Sequence, residues 1–202
     1  MHLRISLKTL ALATCLALPA SSLVLPASSL AQGMGSMNMP GGKTGSGAAV
    51  APSQVFDKLL SGQEKEIVDA AEAMPADKFN FAPSSSMGTY DGVKTFSAQV
   101  KHLASANYGM FHSFNVPGGK SRAELDKLNN RDEILAALKD SYKYAHAAIA
   151  TITPANAFTD MDGKGGTRAG TVAYAMAHAN DHYGQMVEYL RMNGIIPPAS
   201  RK

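Results

Sequence analysis

Apolar residues recur at intervals of three and four along four stretches of the chain, a spacing typical of amphipathic α-helices. The stretches run from about Ser53 to Met74, Val93 to Phe114, Asn130 to Ile152 and Thr167 to Asn193. Pro75, Pro154 and Gly194 follow three of them as helix-ending residues. No stretch alternates apolar and polar residues convincingly enough to predict a β-strand. The pattern therefore predicts an all-α protein, a four-helix bundle, with loops at 76–92, 115–129 and 155–166.

The fourth predicted helix carries two histidines, His178 and His182, four positions apart. Four residues advance an α-helix by about 400°, so the two imidazoles point the same way, about 40° apart. Two imidazoles one turn apart can share one metal ion, and a third ligand must come from another helix. His102, on the inward side of the second predicted helix, is the best candidate. His112 is turned about 80° from His102, and His146 lies at the edge of the apolar stripe of its helix.

The residues around this pair leave two interpretations open. A histidine on such a helix face can also be a hydrogen-bonded core residue that binds no metal. The sequence His178-x-x-Asp181-His182 is similar to the inverted zinc-protease motif His-x-x-Glu-His, in which the carboxylate has a catalytic role. Asp181 is therefore a candidate catalytic residue that orients a ligand or acts as a base, or else a solvated carboxylate. Gln185 and Tyr174, on the same predicted stripe, are candidates to support the ligands.

Several other types of site are excluded because the sequence lacks their motifs. The chain has no Cys-x-x-Cys-His for covalent haem and no Glu-x-x-His for a ferritin-like di-iron site. Ala179 stands where the His-Glu-x-x-His protease motif needs glutamate, and no serine lies in a nucleophile-elbow sequence. The glycines of 163–166 lack the spacing of a phosphate-binding loop.

The N-terminus has the composition of a secretory signal peptide. Arg4 and Lys8 precede a short apolar run, and Ser29-Leu30-Ala31 places small residues at the positions that a signal peptidase reads. We expect cleavage after Ala31 and an exported protein, periplasmic or extracellular. Residues 32–52 are rich in Gly, Ser, Ala and Met and predict a flexible leader before a domain at 53–198. The methionines of this leader are either soft-metal ligands, for example for Cu(I), or part of a low-complexity tether.

Cleavage would also change the charge and the cysteine count. The signal peptide holds two of the 19 basic residues and none of the 16 acidic ones, so the mature chain is near +1 instead of +3. This small charge gives no argument for a nucleic-acid partner. The single cysteine, Cys15, is removed as well, so the mature protein has no thiol for a disulfide, a metal or a nucleophile. We expect no stable membrane insertion after cleavage.

Together with the three histidines, the C-terminal run Gly184-Gln185-Met186-Val187-Glu188-Tyr189-Leu190-Arg191-Met192-Asn193-Gly194-Ile195-Ile196-Pro197-Pro198 resembles the DinB-like (YfiT-like) family. The resemblance covers about Ser53 to Pro198. It implies a four-helix bundle with His102, His178 and His182 as the metal ligands, often zinc or nickel, and often a homodimer. Tyr183 stands where the family commonly has a basic residue.

The resemblance implies more than one activity. Some relatives resemble transferases or isomerases that activate a low-molecular-weight thiol on the metal, and others are described as metal-dependent hydrolases. Export weakens the thiol interpretation, because such cofactors are scarce outside the cytosol. The main hypothesis is an exported metalloenzyme that acts on a small molecule through a divalent ion. The alternative is a non-catalytic metal- or ligand-binding protein of the cell envelope.

Overall fold

A computed structural model describes residues 47–201, and the predicted signal peptide at 1–31 and most of the predicted leader lie outside them. The described residues form five α-helices and contain no β-strand, only an isolated bridge between Asp160 and Thr167. The helices are α1 (Pro52–Ala73), α2 (Phe96–Met110), α3 (Arg122–Asp126), α4 (Arg131–Ala150) and α5 (Arg168–Met192). The four long helices confirm the predicted all-α fold. Within this part of the chain, no helix is both long and apolar enough to cross a bilayer.

Capping side chains begin three of the long helices, and a glycine ends α5. The side chains of Thr95, Asn130 and Thr167 each accept a backbone N–H in the first turn of α2, α4 and α5. After α5, Gly194 adopts a left-handed φ of 73°, a conformation that favours glycine. Gly194 N–H donates to the carbonyl of Arg191 and ends the helix.

Polar contacts between α1 and its neighbours give the helix directions. The Gln63 amide donates to the carbonyl of Met176, and Lys78, just after α1, donates to that of Asn193, so α1 and α5 are parallel. Arg131, at the start of α4, donates to the carbonyl of Met74, just after the end of α1. Helices α1 and α4 are therefore antiparallel neighbours.

Contacts of α2 with α4 and α5 give the directions of the remaining helices. The Asn107 amide of α2 donates to Ser141 of α4, and the rings of Tyr108 and Tyr144 pack 5.2 Å apart, so these helices are parallel. Tyr189 of α5 donates to the carbonyl of Lys94, just before α2, so α2 and α5 are antiparallel. Large apolar side chains of all four long helices fill the core, among them Ile67, Phe96, Leu103, Tyr142, Ile149 and Met186.

One predicted connection contains an α-helix that the periodicity did not reveal, and one predicted helix is longer than the observed one. The loop 115–129 contains α3, which Ser121 and Glu124 begin as a reciprocal capping box. The predicted second helix is too long, because its α-helical part ends at Met110 and a 3-10 turn, His112–Phe114, follows. Phe111 and Phe114 continue the apolar period, but the backbone turns away there, with Asn115 in a left-handed conformation.

Candidate metal centre

Helix α5 carries two of the three histidines at the boundary between core and solvent. The buried side of α5 is formed at this level by Val172, Ala175, Ala179, His182 and Met186. His182 belongs to this buried stripe and is 7% exposed, whereas His178, one turn earlier, is half-buried at its edge. The pair therefore lies at the edge of the core, with His182 buried and His178 partly accessible to solvent.

Helix α2 places His102 opposite this pair. Val100, Leu103 and Ala104 are buried and anchor α2 in the core. Because α2 runs antiparallel to α5, the half-buried His102 comes to the level of His178 and His182. Side chains 76 positions apart in the sequence thus meet between two neighbouring helices.

The three imidazoles converge at close range. The Nε2 atoms of His102 and His178 are 3.1 Å apart, and the His182 ring centroid lies 4.6 Å from each of the other two. One ring nitrogen from each histidine lies within 4.8 Å of the others. In a tetrahedral zinc site, ligands at about 2.0–2.1 Å from the ion are about 3.3 Å from one another. The spacing and the donor set therefore fit a divalent metal ion.

The buried amide of Gln99 orients His182. Gln99 is 1% exposed, and its Oε1 accepts a hydrogen bond from Nδ1 of His182 at 2.6 Å. Its Nε2 donates to Oε1 of Gln185 at 2.5 Å, which fixes the amide with its oxygen toward the imidazole. His182 therefore carries its proton on Nδ1 and keeps the Nε2 lone pair for a metal. Metal-binding histidines are commonly held in this way by an acceptor for their other nitrogen.

The surroundings of His102 and His182 favour the neutral form that binds metal. Burial lowers the pKa of His182 to about 4, and the nearby imidazoles of His102 and His178 add to the shift. Burial also lowers the pKa of His102, with smaller contributions from His178, Lys94 and Arg122. An unprotonated imidazole is the ligand form, so protons compete less for these nitrogens than in an exposed histidine.

The carboxylate of Asp181 lies at the outer end of a hydrogen-bonded chain. Asp181 is exposed, and its Oδ2 accepts from Nε2 of Gln185 at 3.0 Å. Gln185 is bonded in turn to Gln99, which accepts from His182. The two predicted supporting residues Asp181 and Gln185 are thus linked to one of the three histidines. Asp181 itself remains a predicted catalytic residue.

Tyr174, the third predicted supporting residue, lies beside His178 at the protein surface. It is 64% exposed and stacks on the outer side of His178, with ring centroids 6.2 Å apart. The buried stripe of α5 runs through Ala175 and Ala179 and leaves Tyr174 at its margin. Tyr174 can shield one face of His178 but does not belong to the core.

The remaining described histidines, His112 and His146, lie outside the cluster. His112 is exposed on the 3-10 turn after α2. His146 of α4 is hydrogen-bonded to Asp57 and Glu64 of α1, at 2.6 and 3.0 Å. The structure therefore brings together the three histidines that the sequence selected as candidate ligands and separates these two from them.

Comparison with known proteins assigns the family. The sequence profile of the DinB superfamily matches residues 59–186, more than half of the 202-residue chain, and this range includes all three histidines. The chain belongs to the DinB superfamily. Membership confirms the resemblance found in the sequence. No curated protein matches the chain.

A solved structure supports the same fold. The DinB-like protein YjoA from Bacillus subtilis matches with a TM-score of 0.54 and 15% sequence identity. The match covers 69% of this DinB-superfamily chain and 92% of YjoA. At this identity the likeness shows the fold alone.

Proposed function

We propose that this DinB-superfamily protein is a metal-dependent enzyme that binds one divalent ion, zinc or nickel, through His102, His178 and His182. The convergence of three imidazoles from α2 and α5 at the edge of the core carries the proposal. Three protein ligands leave room for an exchangeable fourth, which is the usual composition of a catalytic zinc site. A structural site would instead be closed by four protein ligands.

The residues around the proposed ion would have separate roles. When bound, the ion supplies Lewis-acid chemistry that lowers the pKa of a coordinated water or thiol, to about 7 for water on zinc. Gln99 holds the ring of His182, and Tyr174 covers one face of His178. Asp181, exposed beside His182, is the candidate to orient the substrate or to accept a proton.

Two reaction classes fit such a centre: hydrolysis of a small ester or amide, and transfer to a low-molecular-weight thiol. We favour hydrolysis, because the sequence of residues 1–31 supports export to a compartment where thiol cofactors are scarce. The export proposal predicts a mature chain that begins at or within a few residues of Gln32, which intact-mass measurement of secreted protein would check.

The activity is tested with purified protein loaded with zinc or nickel. Small chromogenic esters and anilides, and a thiol with an aromatic electrophile, are offered to wild type and to a His178→Ala variant. We expect turnover that requires metal and is lost in the variant while its circular dichroism is unchanged. A wild type that holds one ion per chain and turns over none of these compounds would favour the non-catalytic alternative.

A further inference from the structure

A groove runs along α5 away from the metal centre. One wall consists of Tyr90 and Val93, which precede α2. The other is the face of α5 that carries Asp181, Gln185 and Met192. Its volume is about 580 Å³, within the range of small-molecule sites.

The groove lies next to the metal centre along α5, since its lining residue Asp181 adjoins His182 in the sequence. Gln185 follows His178 by seven residues, two turns of α5, so their directions differ by only about 20° and their positions by about 10 Å along the axis. Asp181 lies between them on nearly the same face. Gln185 also bonds to Gln99, the residue that holds His182. A ligand that lies beside Gln185 must therefore extend about 10 Å along α5 to come to the level of His178.

Gly184 lines the groove without adding a side chain to it. A Cβ added at Gly184 would meet no atom within 4 Å, so the space above this helix position is open. Around it, the surface is apolar and aromatic: Val93 and Met192 are partly exposed, and the ring of Tyr189 is held edge-on by Phe81. Such walls bind an aliphatic or aromatic body.

The charges that line the groove are negative. Its lining residues include two carboxylates, Asp181 and Glu188, and neither lysine nor arginine. Glu188 forms an ion pair with Arg191 at 2.8 Å, whereas Asp181 accepts from the neutral amide of Gln185. Lys94 is not among the lining residues, although its positive charge contributes to the lowered pKa values of His102 and His182. Asp181 therefore offers a carboxylate without a cationic partner in the groove lining.

We propose that this groove is the substrate-binding part of the metal site and takes a ligand with an apolar body and an ammonium group placed against Asp181. This proposal rests on the proposed metal-dependent function and names the substrate class: small esters or amides that carry a cationic group. The tyrosines at its walls add attraction for a cation over an aromatic ring.

The test uses three probes with the same phenylbutyl body and different head groups: trimethylammonium, hydroxyl and sulfonate. The quaternary ammonium cannot coordinate a metal, so its binding reports the groove. Calorimetry on the zinc-loaded protein should give a Kd for the cation at least about tenfold lower than for the other two. Asp181→Asn should bring the cation to within about twofold of the alcohol and leave the alcohol unchanged. Equal affinity of wild type for cation and sulfonate would overturn the charge assignment.

A second variant tests the place of binding. Gly184→Phe would fill the groove from an exposed helix position, and Gly62→Phe makes the same change at an exposed position of α1, which also has no atom within 4 Å. We expect Gly184→Phe to weaken all three probes at least tenfold with zinc content unchanged, and Gly62→Phe to weaken none. Undiminished binding in Gly184→Phe would overturn the proposal. Zinc content is measured separately, so a wild type that binds the cation but no zinc would refute the metal function alone.

Discussion

Gln99 is the residue on which the orientation of His182 depends most directly. Its oxygen holds Nδ1 of His182, and its nitrogen is held by Gln185. A buried amide with both ends engaged leaves the imidazole one tautomer and one orientation. The fixed ring keeps the Nε2 lone pair of His182 directed at the other two histidines before any ion arrives.

Replacing this amide should weaken metal binding without removing a ligand. Gln99→Leu keeps the approximate volume but gives Nδ1 of His182 no acceptor, so we expect zinc affinity to fall ~10–100-fold. Gln99→Glu retains an acceptor and should lose much less. Competition with a chromogenic chelator measures both affinities. Equal affinity in the leucine variant and the wild type would show that Gln99 does not orient the site.

The histidines could be predicted from the sequence, but the role of Gln99 could not. His178 and His182 are four apart on one helix, and this spacing alone places them on one face. The function of an amide depends on what faces it, and the partners of Gln99 lie 83 and 86 positions away. The sequence does hold one signal: Gln99 interrupts an otherwise apolar face one turn before His102.

At the scale of elements, His146 connects α4 to α1 through two carboxylates. Burial alone would lower its pKa, but hydrogen bonds to Asp57 and Glu64 outweigh it, and the pKa is raised. A raised pKa means that folding favours the protonated imidazole. Its contribution to stability is therefore complete below about pH 6.5 and is lost as the pH rises through the folded-state value.

The pH dependence of unfolding tests this connection. We expect His146→Gln to lower the free energy of unfolding by up to about 1 kcal/mol at pH 6, with a smaller difference at pH 8, since the pair is partly exposed. Urea denaturation at the two pH values measures it. His112→Gln, at an exposed position on a 3-10 turn, is the control. A His146→Gln deficit that grows with pH would contradict the assignment.

The helices themselves could be predicted to within a few residues, because apolar spacing, caps and stop residues are local signals. Two elements differ from the prediction. The five-residue α3 is too short for a periodic pattern, although Ser121 and Glu124 carry its capping signature. Apolar Phe111 and Phe114 extended the predicted second helix past its end, because they pack in the core from a 3-10 turn.

For the whole molecule, the arrangement of the four long helices decides where the site lies. Helices α1 and α5 are parallel, as are α2 and α4, and α2 packs beside α5 in the opposite direction. Sequence periodicity does not determine such directions, because each connection is long enough for several arrangements. The same order leaves the histidines near solvent instead of at the centre of the core.

A metal that joins α2 to α5 should stabilise the whole fold. Binding to the folded state alone contributes about 2.7 kcal/mol when free zinc is at 100 times its Kd. For a protein of this size, this corresponds to a rise in Tm of roughly 5–10 °C. Differential scanning calorimetry with zinc and then with a chelator should show the rise and its reversal. If zinc raised the Tm of His102→Ala as much as that of wild type, the ion would bind at another place.

Metal stoichiometry of purified variants tests the three-histidine site most directly. After equilibrium dialysis against zinc, elemental analysis should find one ion per chain in the wild type and in His112→Ala and His146→Ala. We predict sharply reduced zinc in His102→Ala, and almost none in the double variant His178→Ala, His182→Ala, because one remaining imidazole binds weakly. Full occupancy in that double variant would contradict the three-histidine site.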